Sequence, residues 1–301
     1  LGTKKNPLLQ TPLHESHITL GARMVPFADW SMPVQYPTGI LKEHRHTRST
    51  VSLFDTCHMG EFKITGPGVA AALDPLLVRP IIDQLNGSCR YNLLMDPSGG
   101  IRDDLVVYRI GEEEFYLVVN AGPCEADATW LRDHLPSSVV FRDESETTGK
   151  LDLQGPRSAE ILIRMGLSAG DLPPYYHFRG VSLDEHRLLV SRTGYTGELG
   201  YEIYLPREET ESLWKRLLKE EEVLPAGLGA RDTLRLEMGL PLYGHEISLD
   251  TTPAEAGLSY DRDPHRSFLG DSFRNTPPKK QLTPLLLDGR RTARRGEKVF
   301  S

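Results

Sequence analysis

The sequence lacks the marks of several large protein classes. No apolar run approaches the roughly 18 residues that a membrane-spanning helix needs. Residues 1–10 have no apolar core of a secretory signal, and the chain opens on leucine rather than methionine, which reads as a trimmed start. Cysteine is scarce: Cys57, Cys89 and Cys124 are odd in number and widely spaced. That excludes a disulfide framework and reads as reduced thiols in a cytosol-like compartment. No Gly-x-Ser-x-Gly elbow of a hydrolase is present. The stretch Gly227-Leu228-Gly229-Ala230-Arg231-Asp232 lacks the Gly-Lys-Ser/Thr ending of a phosphate loop. Cys57-His58-Met59, with His44 and His46 upstream, matches no zinc spacing, so no metal is expected. Excess positive charge is also missing; the formal net charge of −7 argues against bulk nucleic-acid binding.

What remains is an ordinary globular composition, long enough for about two domains. Alternation predicts strands over 61–65, 90–95, 104–110, 115–119 and 139–142, with helices over 69–73 and 124–135. The order then recurs: strand 150–154, helix 158–165, strands 181–183, 187–191 and 201–205, and helix 208–220. Gly66-Pro67 and Gly155-Pro156 occupy equivalent places in the two runs, which predicts a degenerate duplication with a ligand cleft between the halves. Each run matches a split βαβ unit. Beyond Phe273, Pro277-Pro278-Lys279-Lys280 reads as a linker. A strand is expected over 283–288, then an arginine cluster over 290–295, as if a third module begins.

Three segments carry candidate chemistry. Gly99-Gly100-Ile101-Arg102-Asp103-Asp104 sets two carboxylates at the mouth of an apolar strand. Alternation sends the pair to opposite faces, and a carboxylate held against apolar surface handles protons. The plainer reading is a solvated acidic turn. The glycine-rich 192–202 segment fits a hairpin tip, or else carries Tyr195 and Glu202 into a cleft, where a flat ring stacks on a heteroaromatic and a carboxylate takes its amino edge. Arg231, opening a helix over 233–237, is placed either to meet an acidic ligand tail or to form a surface ion pair.

These segments, taken in order with Gly21-Ala22-Arg23-Met24-Val25-Pro26-Phe27, Phe54-Asp55-Thr56-Cys57-His58-Met59-Gly60-Glu61, Val119-Asn120-Ala121, Leu242-Tyr243-Gly244-His245-Glu246-Ile247 and Thr252-Pro253-Ala254-Glu255-Ala256-Gly257-Leu258, run through essentially the whole chain. The chain closely resembles the aminomethyltransferases of the glycine cleavage system, the T-protein family. The resemblance implies an α+β fold: two related split βαβ (ferredoxin-like) halves forming a folate-binding body over 1–275, followed by the start of a C-terminal β-barrel over 276–301. The subdomains would be about 1–52 plus 145–275, and 53–144. It implies transfer of a methylene carbon from aminomethyl-dihydrolipoyl H-protein to tetrahydrofolate, with release of ammonia.

Carried over by motif, Asp104 is the catalytic acid, with Asp103 as the fallback. Tyr91, Val118, Asn120, Tyr195, Glu202 and Arg231 bind folate, and Met59 and His58 line the cavity wall. The implied protein is a cytoplasmic monomer (mitochondrial-matrix if eukaryotic). It binds neither nucleic acid nor membrane and docks lipoylated H-protein transiently, with the 290–295 arginines as one candidate contact. Two rivals stand beside this: a folate-dependent demethylase of a small methylated amine or sulfonium compound, and a non-enzymatic folate-binding scaffold. The scaffold relatives carry a Lys-Gly-Cys-Tyr-x-Gly-Gln-Glu signature, where this chain has Met238-Gly239-Leu240-Pro241-Leu242-Tyr243-Gly244-His245-Glu246.

Overall fold

Period-two alternation builds three sheets in the computed structural model, which describes residues 7–258, 260 and 263–287. The chain opens with β1 (Leu9–Gln10), α1 (His14–Thr19), β2 (Arg23–Phe27), β3 (Trp30–Gln35), α2 (Ile40–Ser49) and β4 (Val51–Asp55). The first repeat follows: β5 (Gly60–Thr65), α3 (Val69–Leu73), β6 (Cys89–Met95), β7 (Ile101–Gly111), β8 (Glu114–Val119), α4 (Cys124–His134) and β9 (Val140–Asp143). The second comprises β10 (Thr148–Gln154), α5 (Ser158–Arg164), β11 (Phe178–Leu183), β12 (His186–Ser191), β13 (Gly200–Pro206), α6 (Thr210–Leu217) and β14 (Val223–Pro225), and α7 (Leu228–Glu237) comes last.

The fold is α+β. A three-stranded sheet has the order β1-β3-β2, a five-stranded sheet β6-β7-β8-β5-β9, and a six-stranded sheet β11-β12-β13-β10-β4-β14. The two larger sheets share one strand order, except that β4 slips in between the first and last strands of the second repeat. Each repeat turns from its first strand into its helix at a Gly-Pro step. Gly66 and Gly155 take φ of 132° and 139° there, a region that side chains avoid. A Cβ on Gly66 would lie 2.7 Å from the Ser138 carbonyl oxygen, and one on Gly155 2.4 Å from that of Thr50. Both glycines therefore let the turn press against the backbone leading into the neighbouring strand.

Each large sheet has its own core. Leu151 and Leu153 of β10 join Ile161, Leu162, Leu213, Trp214 and Leu217 from α5 and α6. Phe62 and Ile64 of β5 pack with Leu105, Leu117 and the Ala128–Leu131 face of α4. Between the sheets, the hydroxyls of Tyr108 and Tyr204 meet at 2.8 Å within a cluster that includes Tyr116 and Val118.

α7 and the segment past 282 differ from expectation, while β4 runs in the six-stranded sheet as far as Asp55, because 53–55 pair with β10. Ile247, Phe268 and Phe273 pack with Leu93, Met95 and Ile101 of the five-stranded sheet. α7 starts at Leu228 and not at 233. Gly227 and Gly229 let its first turn close on β3: a Cβ on Gly227 would sit 2.5 Å from the Val34 carbonyl carbon. Residues 283–287 form no strand; no neighbouring strand pairs with them among the described residues, and Leu286 is 97% exposed. The expected barrel therefore has no strand among the described residues, and Asp288 and the 290–295 arginines lie outside them.

Candidate functional site

A cleft of about 1420 Å³ opens between the sheets. Of the site residues carried over by motif, Tyr91, Val118, Asn120, Tyr195, Glu202, Arg231, Met59, His58 and Asp104 are on its wall, and the fallback Asp103 is not. The strand explains the split. β7 begins at Ile101 rather than Asp104, because Ile101 donates to the Thr251 carbonyl and pairs with Met95. Its alternation then buries Asp103 with Leu105 and Val107 and turns Arg102, Asp104 and Val106 to the cleft.

Asp104 is held from two sides. The Tyr91 hydroxyl donates to its Oδ2 at 3.0 Å, and the Asn120 Nδ2 donates to its Oδ1 at 2.8 Å. Burial pushes its carboxyl up to about 6, while these two donors pull the other way. The same Asn120 side chain donates to Asp103 Oδ1 at 2.9 Å, and the Asn120 backbone N–H donates to Asp103 Oδ2 at 2.9 Å. Asn120 thus grips both carboxyls of the sequence pair.

Opposite stands a polar row on β10. Lys150, Asp152 and Gln154 alternate with the core residues Leu151 and Leu153, and all five are buried. The Lys150 ammonium meets Glu202 Oε1 at 2.5 Å and Met59 Sδ at 3.3 Å, and the Thr193 hydroxyl donates to Glu202 Oε2. Burial would raise the Glu202 carboxyl, but the lysine charge overrides it and holds it below the usual range. Arg231 bonds Asp152 Oδ2 at 2.9 Å, and its guanidinium lies 4.8 Å from the centre of the Tyr195 ring. That excludes the expectation of a mere surface ion pair, since Asp152 is fully buried. The Tyr195 hydroxyl donates to the Pro241 carbonyl, so it is already committed within the protein.

The 192–199 loop is shaped by the same row. A Cβ on Gly194 or Gly200 would fall 2.3 or 2.2 Å from the Gln154 amide, which itself bonds the Thr193 carbonyl and Asp152. The glycines therefore seat the loop on β10. His58 is buried with its Nδ1 unpartnered and its ring edge-on to Phe27, and desolvation pushes its pKa down to about 3. A neutral, packed histidine suits a wall.

The sequence reading misses Lys150, Asp152 and Asp127. The first two are legible in principle: Lys-Leu-Asp-Leu-Gln is a strand with polar residues at every second position, an unusual pattern at the centre of a sheet. Asp127 lies on α4 beside the buried Ala128 and gives no such signal.

Comparison with known proteins follows the same lines. The family described as GCVT N-terminal domain matches residues 13–261. An aminomethyltransferase of Chlorobium luteolum is 42% identical over 97% of this chain and 82% of its own length. One from Rubrobacter xylanophilus is 43% identical over 98% of this chain and 80% of its own. The crystal structure of the glycine cleavage system aminomethyltransferase T from Bartonella henselae superposes with a TM-score of 0.84 at 36% identity, covering 90% of this chain and 76% of that one. The fold is that of a transferase enzyme. The chain belongs to the GCVT family of aminomethyltransferases.

Proposed function

We propose that this protein transfers the methylene carbon of an aminomethyl group, carried on the dihydrolipoyl arm of H-protein, to tetrahydrofolate, with release of ammonia. The observation that carries this reading is Asp104, a cleft carboxyl raised to about 6 and oriented by Tyr91 and Asn120. The lining fits a folate: a carboxylate at Glu202, an aromatic ring at Tyr195 and a guanidinium at Arg231. Tetrahydrofolate supplies the nitrogens N5 and N10 that take up the carbon.

In the balanced reaction the carbon loses its bonds to nitrogen and sulfur and gains two to the folate. Two folate N–H protons end on ammonia and on the thiol. Asp104 stands where such a proton is taken up and returned, and a group titrating near 6 suits that at neutral pH. As a carboxylate it also stabilises positive charge developing on the carbon. Glu202, kept ionised by Lys150, binds the pterin amino edge. Tyr91, Val118 and Asn120 line the pterin pocket. Arg231 spends one arm on Asp152 and keeps further N–H donors for the ligand's carboxylate tail. Met59 and His58 form the wall.

The same reading makes the two large sheets descendants of one duplicated split βαβ unit, supported by their shared strand order and the paired Gly66 and Gly155 turns. It divides the body into one subdomain built on the six-stranded sheet, including the chain up to Asp55, and one built on the five-stranded sheet. It makes the protein a cytoplasmic monomer that meets its carrier transiently.

Calorimetric titration with 5-methyltetrahydrofolate tests the folate site. Saturable binding that weakens in Glu202→Ala supports it. Absence of binding by folded protein, or equal binding by Glu202→Ala, contradicts it.

A further inference from the structure

Beside Asp104 lie two further carboxyls that the proposed reaction does not yet use, Asp103 behind it and Asp127 on the cleft wall. Asp103 and Asp127 are both fully buried. Both oxygens of Asp103 already accept hydrogen bonds, from the Asn120 backbone and side-chain amides. Neither oxygen of Asp127 has a donor to accept from, and the group it faces is the Asp103 carboxyl. Two carboxylates in contact repel, and a buried carboxylate without a donor is costly. The contact becomes a bond only if one of the two carries a proton. The proton then belongs to the pair as a whole, with the Asn120 donors holding the Asp103 side in place.

We propose that Asp103 and Asp127 share one proton and, as a pair carrying a single negative charge, position Asn120 against Asp104. The role given to Asp104 rests on the folate reading above; the shared proton does not. The surroundings agree. Arg102, on the cleft side of β7, is paired with Asp96 at 3.1 Å and lies 4.0 Å from the Trp130 ring centre, so it is only partly free to compensate the pair. Tyr243 faces the cluster from the 239–249 segment, Tyr91 and Asp104 from β6 and β7, and none of these adds a second positive charge. Burial raises both members, as expected of a pair that ionises in two steps and keeps its last proton to high pH.

The pair has two consequences. Asn120 is fixed by a charged acceptor, so its Nδ2 is held at the angle that also reaches Asp104. The single charge beside Asp104 also makes that residue hold its proton to higher pH. Asp127 acts through Asp103 and Asn120 and is a positioning residue.

Difference infrared spectroscopy on the ligand-free protein tests this. At pH 8 the wild type should show the C=O stretch of a buried, protonated carboxyl. The band should persist in Asp104→Asn and vanish in Asp127→Asn, where an amide N–H replaces the shared O–H and keeps the fold. In the double variant Asp103→Asn/Asp127→Asn, Asp104 should titrate at a pH lower by about one, whereas Asp127→Asn alone, which conserves the charge, should leave it nearly unchanged. A folded wild type without the band, or a band that survives Asp127→Asn, overturns the proposal. So does an unshifted Asp104 in the double variant. Because no ligand is present, these results stand apart from the folate titration, whose failure would sink the folate reading and leave the pair intact.

Discussion

The ammonium of Lys150 sits 2.5 Å from the Glu202 carboxylate, with both side chains buried in the wall of the cleft. The two strands that carry them are paired in a register that sets Asp152 opposite Glu202 and Lys150 opposite Tyr204. Removing one member of such a pair strands the other charge away from water. Lys150→Met is therefore expected to destabilise the protein by about 3–5 kcal/mol. At temperatures where it stays folded, its affinity for 5-methyltetrahydrofolate should fall, because Glu202 loses the charge that keeps it ionised. Denaturant unfolding and calorimetry measure the two effects. Unchanged stability with unchanged affinity would show that the pair is idle.

A second prediction concerns Gly100. A methyl group there would lie 1.8 Å from the Leu249 carbonyl oxygen. The backbone carrying Leu249, itself part of the cleft wall, has to move to admit it. Gly100→Ala should cost about 1–3 kcal/mol and weaken folate binding. Gly111→Ala, whose Cβ meets nothing within 4 Å, is the control and should leave binding unchanged.

Stability at acid pH should depend on Asp55. Burial alone would raise its carboxyl, but the bond and charge of His17, at 2.8 Å, bring it down to about 2. A carboxyl that is more acidic folded than unfolded contributes stability above its unfolded value, near 4, and loses it as pH falls toward 2. The contribution is about 2 kcal/mol. The stability gap between wild type and Asp55→Asn should therefore narrow by that amount between pH 6 and pH 2, as read by urea unfolding. A gap independent of pH would refute the assignment.

Asp104 has the opposite sign. Its carboxyl is raised to about 6, so its ionisation costs stability as pH rises from about 4 to about 6. Asp104→Asn should lessen that decline, and thermal unfolding across this range checks it. A variant that declines in parallel with wild type would contradict the shift.

How far the sequence reaches is clearest at these residues. Strand alternation splits Asp103 from Asp104 without saying which faces the cleft; the family resemblance points to Asp104, and the structure places only Asp104 on the cleft wall. The two Gly-Pro steps are legible because their backbone angles admit little else. The helix stripe Leu213, Trp214, Leu217 is buried as its spacing requires. Partners distant in sequence are another matter. That Lys150 meets Glu202, or that Asp127 meets Asp103, depends on register and helix docking, which no local pattern encodes. The hydroxyl of Tyr195 is committed to Pro241 for the same reason: the 239–249 segment reaches it only in three dimensions. At 283–287 an apolar run reads as strand, but among the described residues it has no neighbour to pair with, and alternation without a partner makes no sheet.

The central claim is tested most directly by the rate of 5,10-methylenetetrahydrofolate formation from tetrahydrofolate and aminomethylated H-protein, in wild type and Asp104→Asn. The account predicts turnover by the wild type and a loss of roughly 10²–10⁴-fold in the variant, with 5-methyltetrahydrofolate binding retained. Wild-type rates in Asp104→Asn would contradict it, as would a protein that ignores H-protein and instead demethylates a small amine.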